Sequence, residues 1–246
     1  MDDAQTVPRT DRLGVLLDQL DLARKIAQAR LGGLASPASL PEGAPLPPRT
    51  GDGPLTDEEY LWEPAPGAWS IRRRGQAASP RPFGPGDWQL DDAVGDLEPT
   101  PVTTIAWRLG HLHACVAGDW EWTFGERPRP PDQLVDFSPS AAVALARFWA
   151  ALDRWRDSLA AVTDEQLDTV GFDQYPWSDA AERPFITVIA AGNLELIHHM
   201  AEIGVLRDLY RTRSTGPRAC GKAKRQVSDL PLLVEVGRLE FPCPGV

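Results

Sequence analysis

The sequence has little of the features that would mark a secreted, redox or membrane protein. It holds only three cysteines, Cys115, Cys220 and Cys243, and no two of them form a CxxC pair. Such scattered cysteines exclude a disulfide framework and a thiolate zinc site, and they indicate a reducing compartment. No uninterrupted apolar run approaches the ~20 residues that cross a bilayer, and the opening stretch MDDAQTVPRTDR is polar. We therefore expect a cytoplasmic protein that does not enter a membrane.

The familiar nucleotide-binding and hydrolase motifs are missing as well. The chain contains no GxGxxG, no Walker loop, no GxSxG and no HExxH sequence. Its net charge of -10 would repel a phosphate backbone, and no basic stripe is interleaved with aromatic residues. We expect no nucleic-acid partner, and the metalloprotease class is a poor fit.

Helical periodicity dominates what is present. Apolar residues recur at three- and four-residue steps in the segments 11–34, 103–125, 140–162 and 184–213. Ser138 or Ser140 is expected to cap the third helix, whose apolar side is predicted to include Val143, and Ile26 is placed on the apolar side of the first. Strand-like alternation is almost absent. This pattern predicts an all-α fold, an up-down four-helix bundle.

The connections between these helices are long and rich in proline and glycine. The stretch LTDEEYLWEP, residues 55–64, predicts one short helix with Thr56 as a capping residue, and AWSIRRRG is the only ordered-looking piece between residues 64 and 101. After residue 213 the helical period stops. We expect one domain over residues 10–213 and a poorly ordered C-terminal tail over residues 214–246.

The four histidines form two close pairs on two predicted helices. His199 lies in the apolar stripe of the last helix, three residues after Leu196 and four before Ile203, so it is predicted to point inward. Glu195 and Glu202 share its face. His198 is rotated from that face by about 100°.

For His111 and His113, periodicity does not decide which of the two faces the core. The stripe Leu109, Leu112 and Val116 leaves His111 on one flank of its helix and His113 on the other, so at most one of them shares a site with His199. Facing helices of a bundle build metal sites from such imidazoles and carboxylates. A hydrogen-bonded histidine cluster without metal is the plainer alternative, with Cys115 as buried filler rather than a soft ligand.

Three segments resemble the DinB-like superfamily, in particular its actinobacterial branch. They are LTDEEYLWEPAPGAWSIRRRG, PVTTIAWRLGHL and IHHMAEIGVLRDLYR, they occur in the same order, and the resemblance spans residues 10–213. It implies a four-helix bundle that holds a divalent metal through three side chains, one from the second helix and two from the last. Relatives include thiol-dependent transferases and mycothiol-dependent maleylpyruvate isomerases.

Carried onto this chain, the resemblance implies the metal ligands His111, Glu195 and His199. Glu195 stands where the common pattern has a histidine, and a carboxylate also binds hard or borderline metals. The implied cofactors are a divalent metal, such as zinc or nickel, and a low-molecular-weight thiol as cosubstrate for a small-molecule substrate. Monomer and homodimer both stay open.

Two functions fit these residues. The first is a metal-dependent thiol transferase of the mycothiol type, and the second is a non-catalytic, stress-related bundle that binds metal or a small ligand. An open coordination position would favour the first, and a closed site the second.

Overall fold

The computed structural model of the protein describes residues 11–32, 53–92, 101–126, 128–176 and 178–214. These ranges contain six α-helices and one two-stranded sheet: α1 (Arg12–Arg30), α2 (Asp57–Leu61), β1 (Ile71–Arg73), β2 (Trp88–Leu90), α3 (Ile105–Phe124), α4 (Ala141–Leu159), α5 (Asp164–Asp168) and α6 (Phe185–Ser214). Contacts divide the chain into two units, Met1–Ser214 and Thr215–Val246. The predicted C-terminal tail lies outside the described residues beyond Ser214.

The structure confirms a mainly helical protein with long helices in the four predicted places. Helix α3 packs against α4 and α6, and α1 packs against α6. The core between them is formed by large apolar side chains such as Leu17, Leu109, Phe148, Leu152 and Ile203. The prediction that Ile26 and Val143 lie on the buried apolar sides of their helices was wrong, because Ile26 is 44% exposed and Val143 is 41% exposed. Among the described residues, no helix combines the length and the apolar character needed to cross a bilayer.

Local capping explains where the helices begin. The side chain of Asp11 accepts a hydrogen bond from the Gly14 amide at 2.6 Å, and that of Thr104 accepts one from the Trp107 amide at 3.1 Å. Ser140 is the N-cap residue of α4, but its side chain makes no cap bond. The Ala141 amide instead donates to Asp57 of α2, at 2.7 Å. Helix α2 thus caps α4 across a long stretch of sequence.

The segment before α3 contains a two-stranded sheet that its sequence only partly indicates. Strand β1 falls in the AWSIRRRG segment and pairs antiparallel with β2, which the sequence did not predict. The carboxylate of Asp91 is fully buried and accepts hydrogen bonds from the amides of Ser70, Ala78 and Ser79 and from Arg72 Nε, at 2.7–3.1 Å. One charged side chain therefore organises three-residue strands that are too short to show an alternating pattern.

A buried ion pair ties three parts of the chain to the last helix. Arg207 of α6 is fully buried, and its Nε and Nη2 donate to the two carboxylate oxygens of Glu59, at 2.8 and 3.0 Å. Its remaining donors reach the backbone oxygens of Arg30, at the end of α1, and of Gly53, at 3.0 Å for the latter. The guanidinium is thus satisfied by α1, α2 and the segment between them.

We predict that Glu59→Gln lowers the free energy of unfolding by about 3–5 kcal/mol, because the Arg207 charge would stay buried without its partner. Urea unfolding of the purified chain would measure the loss. Glu58→Gln is the matched control, since Glu58 pairs with Arg213 at the surface and should change the unfolding midpoint little. Equal effects of the two variants would contradict the prediction.

Candidate metal centre

The structure brings together the three side chains that the sequence proposed as ligands. His111 of α3 faces Glu195 and His199, which lie one turn apart on α6, and the two imidazole centroids are 4.8 Å apart. Glu195 Oε2 lies 3.1 Å from His199 Nε2 and 3.6 Å from His111 Nε2. One donor atom from each residue falls within 4.8 Å of the others. His199 is 7% exposed, so its predicted inward position is confirmed.

The other two histidines point elsewhere. His198 is exposed, and its Nε2 lies 3.3 Å from Glu202 Oε1. His113 is half-buried and lies within the influence of two arginines of α4, Arg147 and Arg154. Neither residue joins the group of possible metal ligands found among the described residues.

Glu202 and Arg108 both contact His199 at Nδ1. Glu202 Oε2 lies 2.6 Å from His199 Nδ1, and Arg108 of α3 forms an ion pair with the same Glu202 oxygen. Arg108 Nη1 also lies 3.0 Å from His199 Nδ1, so Glu202 accepts from this nitrogen when it carries the proton and Arg108 donates to it when it does not. His199 Nε2 faces Glu195 and His111. The sequence placed Glu202 on this face but did not reveal Arg108.

The two-stranded sheet reaches the site through Trp107. The indole Nε1 donates to the backbone oxygen of Asp91 at 2.7 Å. The Trp107 ring stacks on the His111 ring, with centroids 5.0 Å apart and planes within 5°, and meets His199 edge-on at 6.3 Å. The spacing of four residues between Trp107 and His111 on one helix is the sequence signal of this contact, which apolar periodicity alone does not indicate.

Without a metal ion, the surroundings of His111 favour its protonated form. Burial favours neutral His111, but the Cys115 sulfur and the Glu195 carboxylate outweigh it and raise the pKa of His111 to about 10. A hydrogen bond from His111 lowers the pKa of Glu195, and burial, helped by the His111 charge, lowers the pKa of His199. Since only neutral imidazole binds a metal, a cation entering here must displace the His111 proton.

The donor set fits a divalent metal. Two imidazole nitrogens and one carboxylate oxygen form a familiar three-ligand set for zinc, with bonds of roughly 2.0–2.2 Å that place tetrahedral donors about 3.3 Å apart. The separations of 3.1 and 3.6 Å from Glu195 Oε2 match that spacing. Cys115 Sγ lies 3.7 Å from His111 Nε2 but is not one of the grouped donor atoms.

Two cavities adjoin the site. The larger, of about 770 Å³, is lined by Trp107, His111, Cys115 and Tyr175 together with Phe83 and Arg81. The smaller, of about 390 Å³, also includes His111, Cys115 and Tyr175, and adds Glu195, Asp119 and Asn193. The candidate centre therefore has room beside it for a small molecule.

Fold and site together define a helical protein with a candidate His-Glu-His metal centre between two of its long helices. The family model described as DinB superfamily matches residues 86–203, a range that includes all three candidate ligands. The matched range is therefore similar to the DinB superfamily. No curated protein and no solved structure matches the chain.

We predict that His113 makes the stability of the protein depend on pH. Burial, and then the charges of Arg147 and Arg154, lower the pKa of His113 from 6.5 to about 4. Between these values the unfolded chain binds a proton that the folded chain refuses, so the contribution of His113 is complete above pH 6.5 and declines as the pH falls to about 4. Urea unfolding at several pH values should show a flatter dependence for His113→Gln than for wild type. Superimposable curves would contradict this.

Proposed function

We propose that His111, Glu195 and His199 hold one divalent metal ion, such as zinc or nickel, and that the protein is a thiol-dependent transferase of the mycothiol type. The convergence of two imidazoles and one carboxylate beside a cavity of about 770 Å³ carries this proposal. The match to the DinB superfamily supports it.

An open site favours catalysis over a purely structural role. Structural zinc sites are closed by four protein ligands, whereas catalytic sites use three and keep one position for water or substrate. Three donors converge among the described residues, and His111 lines both cavities. A small molecule in either cavity would therefore lie next to the open position.

The metal, when bound, would acidify a thiol or water that it binds and so supply a nucleophile near neutral pH. The chain's own residues hold the geometry. With an ion on Nε2, the Nδ1–H of His199 would donate to Glu202, which Arg108 holds in an ion pair, while Trp107 covers one face of His111. Trp107, Phe83 and Tyr175 give the larger cavity aromatic walls that suit an organic substrate.

The alternative is a non-catalytic bundle that binds metal or a small ligand. One observation favours it: the cluster is already balanced in charge without an ion, since His111 pairs with Glu195 and Arg108 pairs with Glu202. Consumption of a low-molecular-weight thiol in the presence of small electrophiles separates the two functions. Thiol consumption that needs metal and is lost in His199→Ala supports the transferase, whereas metal binding without any consumption supports the alternative.

We predict that His199→Ala abolishes stoichiometric metal binding and that His198→Ala largely spares it. The reason is their placement, because His199 faces Glu195 and His111 whereas His198 is exposed. Metal analysis of protein purified without an affinity tag measures the content. Metal removal should also lower the melting temperature of wild type but not that of His199→Ala, since a ligand that binds only the folded state stabilises it.

Glu195→Gln tests the third ligand, because it keeps the size of the side chain and removes its charge. Unchanged metal content in this variant would show that Glu195 is a neighbour and not a ligand. Unchanged content in His199→Ala would refute the whole site.

We predict that Glu202→Gln weakens metal binding by about 10–100-fold without removing it, as expected for a residue that orients a ligand. The amide cannot match the carboxylate as partner of the His199 Nδ1 proton and of Arg108. Competition with a chromophoric chelator gives the affinity. Asp208→Asn is the control, since Asp208 lies on the same helix but pairs with Arg30. Equal affinities of Glu202→Gln and wild type would exclude this role.

A further inference from the structure

The smaller cavity holds a carboxylate that the candidate metal centre does not use. Its walls are mainly apolar, with Leu20 from α1, Val116 from α3 and Leu152 from α4. Asp119 of α3 lines the same space, and within the described ranges no hydrogen bond or ion pair reaches its side chain. Burial first, and then repulsion from Asp173 and Glu195, raise the pKa of Asp119 well above its ordinary value. This acid therefore lacks a counter-ion.

Asn193 adds a second unused acceptor. The residue is 1% exposed, and its Nδ2 donates to Leu16 O at 2.9 Å and to Gln19 Oε1 at 3.0 Å. Because the Leu16 carbonyl can only accept, the amide nitrogen must face α1, and Oδ1 must face away from it. Oδ1 is buried and has no hydrogen-bond partner in the part of the chain that the structure describes. A buried acceptor left unpaired costs about 1–3 kcal/mol unless something donates to it.

The other charges of this cavity do not neutralise Asp119. Arg183 is engaged with Asp179, whose Oδ2 accepts from Arg183 Nε at 2.8 Å. Glu195 is negative and already pairs with His111. Gly192 of α6 lines the cavity close to Asp119, since a Cβ built on it would lie 3.9 Å from Asp119 Oδ2. The cavity thus offers acceptors, apolar walls and an acid whose ionised form a cation would stabilise.

We propose that this cavity binds a primary ammonium group carried on an apolar carbon chain. Asp119 is the counter-ion, the apolar walls take the carbon chain, and Asn193 Oδ1 is an unpaired acceptor within the same wall. A charge-assisted hydrogen bond is about twice as strong as a neutral one, so a cation gains more here than an alcohol of the same shape. The proposal stands apart from the metal site, because neither Asp119 nor Asn193 belongs to the candidate ligands.

Calorimetric titration of the full-length chain with n-hexylammonium, n-hexanol and hexanoate tests this directly. In wild type the ammonium should bind at least about tenfold more tightly than the alcohol, and hexanoate should bind least. Asp119→Asn should reduce the preference for ammonium over alcohol to about one while leaving alcohol binding intact. Asp208→Asn is the control, since it removes a negative charge that lies on α6 outside this cavity and pairs with Arg30, and the preference should persist.

Repeating the titrations with a chelator keeps this proposal separate from the metal proposal. A preference that persists in chelator supports the ammonium site even if the chain binds no metal. A preference that appears only with added zinc would overturn it, because the amine would then be coordinating the ion. Equal binding of all three compounds, binding of none, or an unchanged preference in Asp119→Asn would also overturn it. The ranking in wild type needs no variant, so misfolding of Asp119→Asn cannot leave the question open.

Discussion

The buried guanidinium of Arg207 is the constraint on which the described structure depends. A charge at zero exposure needs partners for its charge and its donors, and Glu59, Arg30 and Gly53 accept four hydrogen bonds from it. The ion pair therefore fixes the rotation of α6 against α1 and α2. Arg207 is eight residues from His199 on the same helix, about 12 Å along its axis. Because a helix is stiff over that distance, the contact that secures one end of α6 also aims His199 and Glu195 at α3.

Two adjacent residues of α3 position the two histidines by different means. Trp107, held by the backbone of Asp91, lies flat on His111, while Arg108 pairs with the carboxylate behind His199. Each histidine thus has one nitrogen left toward Glu195. The small sheet acts on the centre only through Asp91 and Trp107. This explains why an irregular, proline-rich connection contains a fully buried aspartate.

Local signals predicted most of the fold and part of the site. Period and caps located the long helices, and phase alone placed His199 inward beside Glu195. His111 could not be chosen over His113 by period, because both flank the same stripe, and the choice needed the family resemblance. No local pattern could reveal three other features, because each joins residues far apart in sequence. They are the cap that Asp57 provides for α4, the pairing of strand β2 and the contacts of Arg207. Val143 and Ile26 fit an apolar stripe but are exposed in the part of the chain that the structure describes.

Glu195 links the candidate centre to the smaller cavity. Its Oε2 touches both histidines, it lines the cavity, and its charge adds to the field at Asp119. The common family pattern implied by the resemblance has a histidine at this position, and a neutral imidazole would remove one negative charge from the cavity wall. The glutamate makes the donor set harder, and its charge also contributes to the raised pKa of Asp119 across the cavity. A metal centre and an ammonium site that share one carboxylate wall would hold their ligands side by side, which is the arrangement that two reacting groups require.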